Sequence, residues 1–133
     1  MTTEFVARFD VTAFEPSTIP GISTDDPDGD WVGSIVMRKN YTEGIVGTGI
    51  LHFVSSGTEQ SRGYLGAERI SGAIDGVEGE VTVHHGGLNS TDDATAFGYV
   101  VPGTGTGAFA DWAGSARIVH DDRGPYFVFT LVS

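Results

Sequence analysis

Apolar and polar residues alternate with period two along most of this chain, which predicts strands rather than helices. Eight such segments lie at 3–14, 31–41, 45–55, 64–74, 77–85, 94–102, 112–120 and 125–132. Turn residues separate most of them: Glu43-Gly44, Ser56-Gly57, Asp75-Gly76, Gly86-Gly87, Pro102-Gly103 and Arg123-Gly124-Pro125. No window carries a convincing 3.6-residue apolar period. Even spacing and short connections predict an all-β fold: an eight-stranded antiparallel up-and-down barrel, lipocalin-like in appearance. One domain, 1–133, accounts for the chain, with an acidic Pro/Gly-rich loop at 15–30 between the first two strands. A barrel of eight strands is either filled by side chains or holds one small ligand.

The stretch 63–87, GYLGAERISGAIDGVEGEVTVHHGG, is the most specific part. Asp75-Gly76 suits a two-residue type I′ turn, because both residues tolerate φ > 0. That turn pairs Ile74 with Val77, Ile70 with Val81, Glu68 with Val83 and Gly66 with His85. Side chains alternate faces, so these residues share one surface, apolar except for Glu68 and His85. A four-residue loop preserves this parity and a three-residue loop reverses it. A carboxylate on an apolar face has a raised pKa unless partners offset its desolvation. Glu68 and His85 are therefore the candidate catalytic residues, as acid, base or carbonyl polariser, with Lys39 a further partner. The bland alternative is a satisfied structural pair at the barrel's polar end.

The first strand alternates Phe5, Ala7, Phe9, Val11 and Ala13 against polar neighbours. Ile35, Met37, Lys39 and Tyr41 share a face of the second strand, and Gly47 and Gly49 leave space beside Leu51 and Phe53. Phe97 and Tyr99 form an apolar face of the sixth strand. The predicted substrate-binding wall is thus Met37, Lys39, Tyr41, Phe53, Phe97, Tyr99 and Trp112, with Tyr41 and Tyr99 as hydrogen-bonding groups. The segments 45–54 and 125–132 are apolar on both faces, so each needs cover outside the barrel. A second copy of the chain, in a dimer or trimer, is the expected cover; the loop 15–30 is the alternative.

Twenty glycines in 133 residues is about twice the ordinary ~7 % usage and fits a chain of strands and tight turns. The net charge of −11 disfavours nucleic acid and anionic membranes as partners. The chain has no cysteine, hence no disulfide or thiolate metal site. It begins without a secretory pattern, and no apolar run reaches the ~20 residues of a membrane span, so a cytoplasmic location is expected. His84 and His85 point to opposite faces and cannot share one metal, and His52 and His120 have no ligand spacing. Asp26, Asp28 and Asp30 resemble the start of a calcium loop. However, its glycine falls at Gly29, and Met37 stands where the bidentate Glu belongs. No metal and no cofactor are expected. The glycines at 103, 105 and 107 lack the Lys-Ser/Thr of a phosphate loop and read as a turn.

The runs YLGAERISGAIDGVEGEVTVHHGG and VVPGTGTGAFADWAGSARI, followed by an aromatic last strand, resemble bacterial domain-of-unknown-function family 3224. The similarity covers 35–131 and is most specific at Glu68, Arg69, Gly72, Asp75, Gly76, His85 and the Pro102–Gly107 run. Lys39 and Tyr41 match a Lys-x-aromatic pattern of the same family. The resemblance implies a barrel like that of allene oxide cyclases. Relatives in that wider group use an apolar lumen to steer a flexible substrate into one ring closure. Gly98 stands where the family commonly has Trp, and Phe129 where it commonly has an acid, so no particular substrate is implied.

Three functions fit this reading. The leading one is a cofactor-independent cyclase or isomerase acting on a hydrophobic, natural-product-type molecule held in the lumen. The second is a non-catalytic carrier of an apolar ligand. The third is an oligomeric interaction module whose barrel is solid with side chains.

Overall fold

A computed structural model describes residues 1–19, 31–90 and 95–133. The strands are β1 (Thr2–Ser17), β2 (Val32–Glu43), β3 (Val46–Gly57), β4 (Ser61–Ile74), β5 (Val77–Ser90), β6 (Ala96–Val100), β7 (Gly114–Asp121) and β8 (Gly124–Val132). Each pairs antiparallel with its sequence neighbour, and β1 closes on β8. The molecule is the eight-stranded up-and-down barrel that the alternation predicts. Closure removes the free edges that an open sheet would expose. A calcium loop at Asp26, Asp28 and Asp30 falls outside the described residues, as does most of the acidic segment 15–30.

The hairpin β4–β5 sets the register of the site. Asp75 (φ 50°) and Gly76 (φ 82°) make the turn, pairing Glu68 with Val83 and Gly66 with His85. Elsewhere the simple alternation fails. The β1–β2 register shifts between Val11 and Ala13, so parity reverses along β1. Phe14, not Ala13, then turns toward the lumen, where its ring lies 6.1 Å from that of Phe53.

Three levels fill the barrel. One end is a solid aromatic plug in which Trp112 packs on Phe5, Phe109 and Phe129. Phe109 comes from a short 3₁₀ turn, Gly107–Phe109, within the stretch read from sequence as a plain turn. The middle level is charged. The other end is hollow, with a cavity of about 530 Å³. The barrel is therefore not solid throughout.

The outward row of β3 is exposed at Val46, Ile50 and Val54, and Leu65 of β4 stands beside Val54. On β8 the outer row is better covered: Val128 is buried, and the Arg8 guanidinium lies 4.7 Å above the Tyr126 ring. No helix among the described residues is long and apolar enough to cross a membrane.

Candidate functional site

Glu68 sits at the centre of the middle level, completely buried. Burial of a carboxylate demands compensation, and three side chains from two strands supply it directly. Lys39 of β2 donates from Nζ to Oε1 at 2.7 Å, and His85 of β5 approaches the same oxygen with Nε2 at 2.8 Å. Tyr41 of β2 donates its hydroxyl to Oε2. Tyr64, on Glu68's own strand, holds the far side of the imidazole, with its hydroxyl 3.0 Å from His85 Nδ1. Room for the carboxylate comes from Gly49, where a Cβ would stand 2.6 Å from Glu68 Oε2 and 2.9 Å from Tyr41. Lys39 also lies over the rings of Phe9 (4.1 Å) and Phe127 (4.9 Å), which add cation–π attraction to the ion pair.

The electrostatics fix the proton positions. Burial pushes the Glu68 pKa up, but the Lys39 charge and the hydrogen bonds from His85 and Lys39 outweigh it, leaving a value of about 2. Glu68 is thus an acceptor only. Burial lowers the His85 pKa against the pull of Glu68, so the imidazole is neutral near pH 7. A neutral imidazole beside a carboxylate must carry its proton on Nε2, which leaves Nδ1 to accept from the Tyr64 hydroxyl. Burial, then the nearby Glu68 charge, raises the pKa of both Tyr41 and Tyr64, so both phenols keep their protons. Burial also lowers the Lys39 pKa, against Glu68 holding it up.

The raised carboxylate pKa that burial alone would bring is therefore absent, because partners over-compensate. This has a measurable consequence in acid. Glu68 is depressed from 4.5 to about 2, so its stabilisation is complete above 4.5 and is lost as pH falls toward 2. That depression corresponds to about 3 kcal/mol. His85 is likewise depressed from 6.5, so its contribution is present above 6.5 and lost as pH falls through its folded value. Urea unfolding from pH 8 to pH 3 is expected to show falling stability in two stages, one below 6.5 and a steeper one below 4.5. Glu68→Gln is expected to shrink the lower stage, leaving the part that Asp121 and Glu80 contribute through their arginine partners.

The cavity lies above this network. Its wall is apolar at Phe14, Ile35, Met37, Leu51 and Phe53, and it reaches Lys39, Tyr64 and His85 at its floor. Lys39, Met37, Phe53 and His85 thus lie where the alternation puts them, on the lumen. Glu68 and Tyr41 point inward but are covered, and neither lines the cavity. Glu68 lines no part of the cavity and meets its lining through Lys39 and His85.

Three expected wall residues are elsewhere. Phe97 and Tyr99 face outward and are about half exposed; Tyr99 bonds His84 Nδ1 at 2.9 Å on the outer surface. β6 pairs His85 with Gly98, so the glycine faces in and its two aromatic neighbours face out. Trp112 is buried in the aromatic plug at the opposite end from the cavity. Tyr64 and Phe14 are the residues that sequence reasoning undervalued. Tyr64 was legible from the β4 alternation Tyr64, Gly66, Glu68, whereas Phe14 is hidden by the bulge.

The fold and the site define a closed antiparallel barrel that buries a charged network beneath an internal cavity. The chain belongs to the DUF3224 family: the profile of that family, a protein of unknown function, matches residues 5–131. A crystal structure of a protein with unknown function from the DUF3224 family, from Shewanella oneidensis MR-1, has a similar fold. It aligns over 99 % of this chain and 97 % of that one, with a TM-score of 0.79 and 19 % identity. No curated protein matches this chain.

Proposed function

We propose that the chain binds an apolar small molecule in the barrel cavity and isomerises or cyclises it by acid–base chemistry, without a cofactor. The observation that carries this reading is the placement of an imidazole and a phenol, bonded to each other at 3.0 Å, at the floor of a cavity with a largely apolar wall. At about 530 Å³ the cavity is within the ~300–1,000 Å³ range of small-molecule sites. A substrate carbonyl or epoxide oxygen arriving at the floor accepts the Tyr64 hydroxyl, which turns away from His85. The freed Nδ1 takes a proton from the substrate carbon next to that oxygen's carbon. Glu68 steadies the imidazolium that results, and Tyr64 stabilises the charge on oxygen. Return of the proton to a different atom completes an isomerisation with no change of mass. The apolar wall supplies the rest, since a substrate held folded against it reacts along one path. The resemblance to allene oxide cyclase-like barrels supports the same theme by analogy of fold.

A carrier is the rival. In its favour, no buried side-chain nitrogen or oxygen among the described residues lacks a partner, as expected of a purely structural network. Incubation with a panel of apolar carbonyl and epoxide compounds, followed by mass spectrometry and chromatography, separates the two. A product of equal mass but altered retention supports the enzyme. Bound ligand recovered unchanged across the panel supports the carrier and overturns catalysis.

We propose also that a second copy covers the outer row of Ile50, Val54 and Leu65. An apolar patch of this kind is self-complementary across a twofold axis, and it bears no acid to repel its copy in a chain of net charge −11. Sedimentation equilibrium at micromolar concentration is expected to give a mass above 14.0 kDa, and Leu65→Glu to restore the monomer. A monomeric wild-type chain contradicts this assembly. A cytoplasmic setting suits a carrier or enzyme of metabolites and belongs to the same proposal.

A further inference from the structure

The cavity's charge is out of step with the rest of the molecule. The chain carries 18 acidic residues against 7 lysines and arginines, yet no Asp or Glu is among the described residues that line the cavity. Its groups able to carry a positive charge are Lys39, Arg62, His85 and His120; the one other titratable lining group among the described residues, the Tyr64 phenol, stays protonated and neutral. The Lys39 charge is already matched by Glu68 at 2.7 Å. Among the described residues, Arg62 has no such match. Among the described residues, five of the seven cations (Arg8, Arg38, Lys39, Arg69 and Arg123) pair with a carboxylate, and Arg62 does not.

Arg62 is also held in place. It lies on the inward row of β4, two residues before Tyr64 and six before Glu68. Its guanidinium donates to Ser55 Oγ at 2.9 Å, Ser55 O at 3.3 Å and Gly57 O at 3.4 Å. Those bonds use three of five N–H groups and bring no negative charge, so the fork is fixed with donors to spare. A half-buried, immobilised guanidinium without a counter-ion among the described residues favours an anion from solution, and its planar fork suits a carboxylate.

We propose that the occupant of the cavity is an amphipathic organic monoanion, an apolar skeleton with one carboxylate. Its head pairs with Arg62 while the skeleton lies against Phe14, Met37 and Phe53. This rests on the reading of the cavity as a small-molecule site and specifies its ligand class. Successive inward residues on a strand are ~7 Å apart, so a head at Arg62 places atoms several bonds along the skeleton at Tyr64 and His85. The arginine would then set which atom of the substrate meets the acid–base pair.

The test uses a fluorescent fatty acid, 11-(dansylamino)undecanoic acid, and its methyl ester as a neutral match, titrated into the full chain. The acid is expected to bind roughly ten- to a hundred-fold tighter than the ester. Arg62→Gln is expected to abolish that difference while leaving ester affinity within about two-fold. Equal binding of acid and ester by the wild-type chain overturns the proposal and leaves the small-molecule site standing. Preference for the acid that survives Arg62→Gln also overturns it. Failure of both probes to bind overturns the small-molecule reading and this inference together. If Arg62→Gln does not fold, the wild-type comparison alone decides: preference for the acid that weakens with added salt supports the pairing, and its absence refutes it.

Discussion

Replacing Glu68 with Met is expected to destabilise the chain by about 3–5 kcal/mol, the largest effect of any single substitution considered. Methionine fills a similar volume, so the loss reports charge and hydrogen bonding rather than a cavity. With the carboxylate gone, the Lys39 ammonium, 1 % exposed, is left in the barrel without a counter-charge. The Tyr41 hydroxyl and the His85 Nε2–H lose their acceptor too, each a further penalty of about 1–3 kcal/mol if left unmade. Thermal unfolding should show a fall of roughly 10–20 °C for a domain of this size. Adding Lys39→Met to Glu68→Met is expected to recover at least about 1 kcal/mol, since the unpaired charge then disappears. A Glu68→Met chain that unfolds within a few degrees of wild type would show that the carboxylate is not what organises the middle of the barrel.

The second large effect concerns turnover. On any substrate that the wild-type chain converts, His85→Gln is expected to lower kcat by about 10²–10⁴-fold, the usual contribution of a positioned base. Glutamine can still donate to Glu68 and keep the network closed, but it cannot take a proton. Tyr64→Phe removes the donor aimed at the developing negative oxygen and is expected to lower kcat by about 10²–10³-fold. Ligand dissociation constants should move by only a few-fold in either variant, since both groups sit at the floor and the apolar wall is untouched. Full activity in both variants, with folding intact, would make the pair scaffold.

Much of this arrangement could be read from the chain. The Asp75-Gly76 turn fixes the β4–β5 register, and that register alone places Glu68 and His85 on one inward face. Lys39 follows from the β2 alternation. The failures share a physical origin: period-two reasoning assumes an unbroken ladder and an apolar interior. The β1 bulge breaks the ladder, exchanging Ala13 for Phe14. At β6 the rule of apolar residues inside points the wrong way, because the lumen there takes Gly98 and leaves Phe97 and Tyr99 outside. A Cβ at Gly98 would collide with the Ala116 carbonyl, so the close approach of β7 decides the residue, and no local pattern signals it. Trp112 belongs to a plug that only the closed barrel completes, since Phe109 is its neighbour in the chain but Phe5 and Phe129 come from distant parts of the sequence.

One quantity stands behind the site, its acid stability and the proposed chemistry: the protonation of a single imidazole. Long-range ¹H–¹⁵N correlation spectra of histidine-labelled protein, recorded from pH 8 to pH 5, read it directly for His85. The neutral ring with its proton on Nε2 is expected to persist to below pH 6.5, its Nδ1 shifted by the Tyr64 hydrogen bond and released in Tyr64→Phe. A His85 ring that titrates at or above 6.5, or that carries its proton on Nδ1, would contradict the buried, Glu68-anchored base on which the account depends.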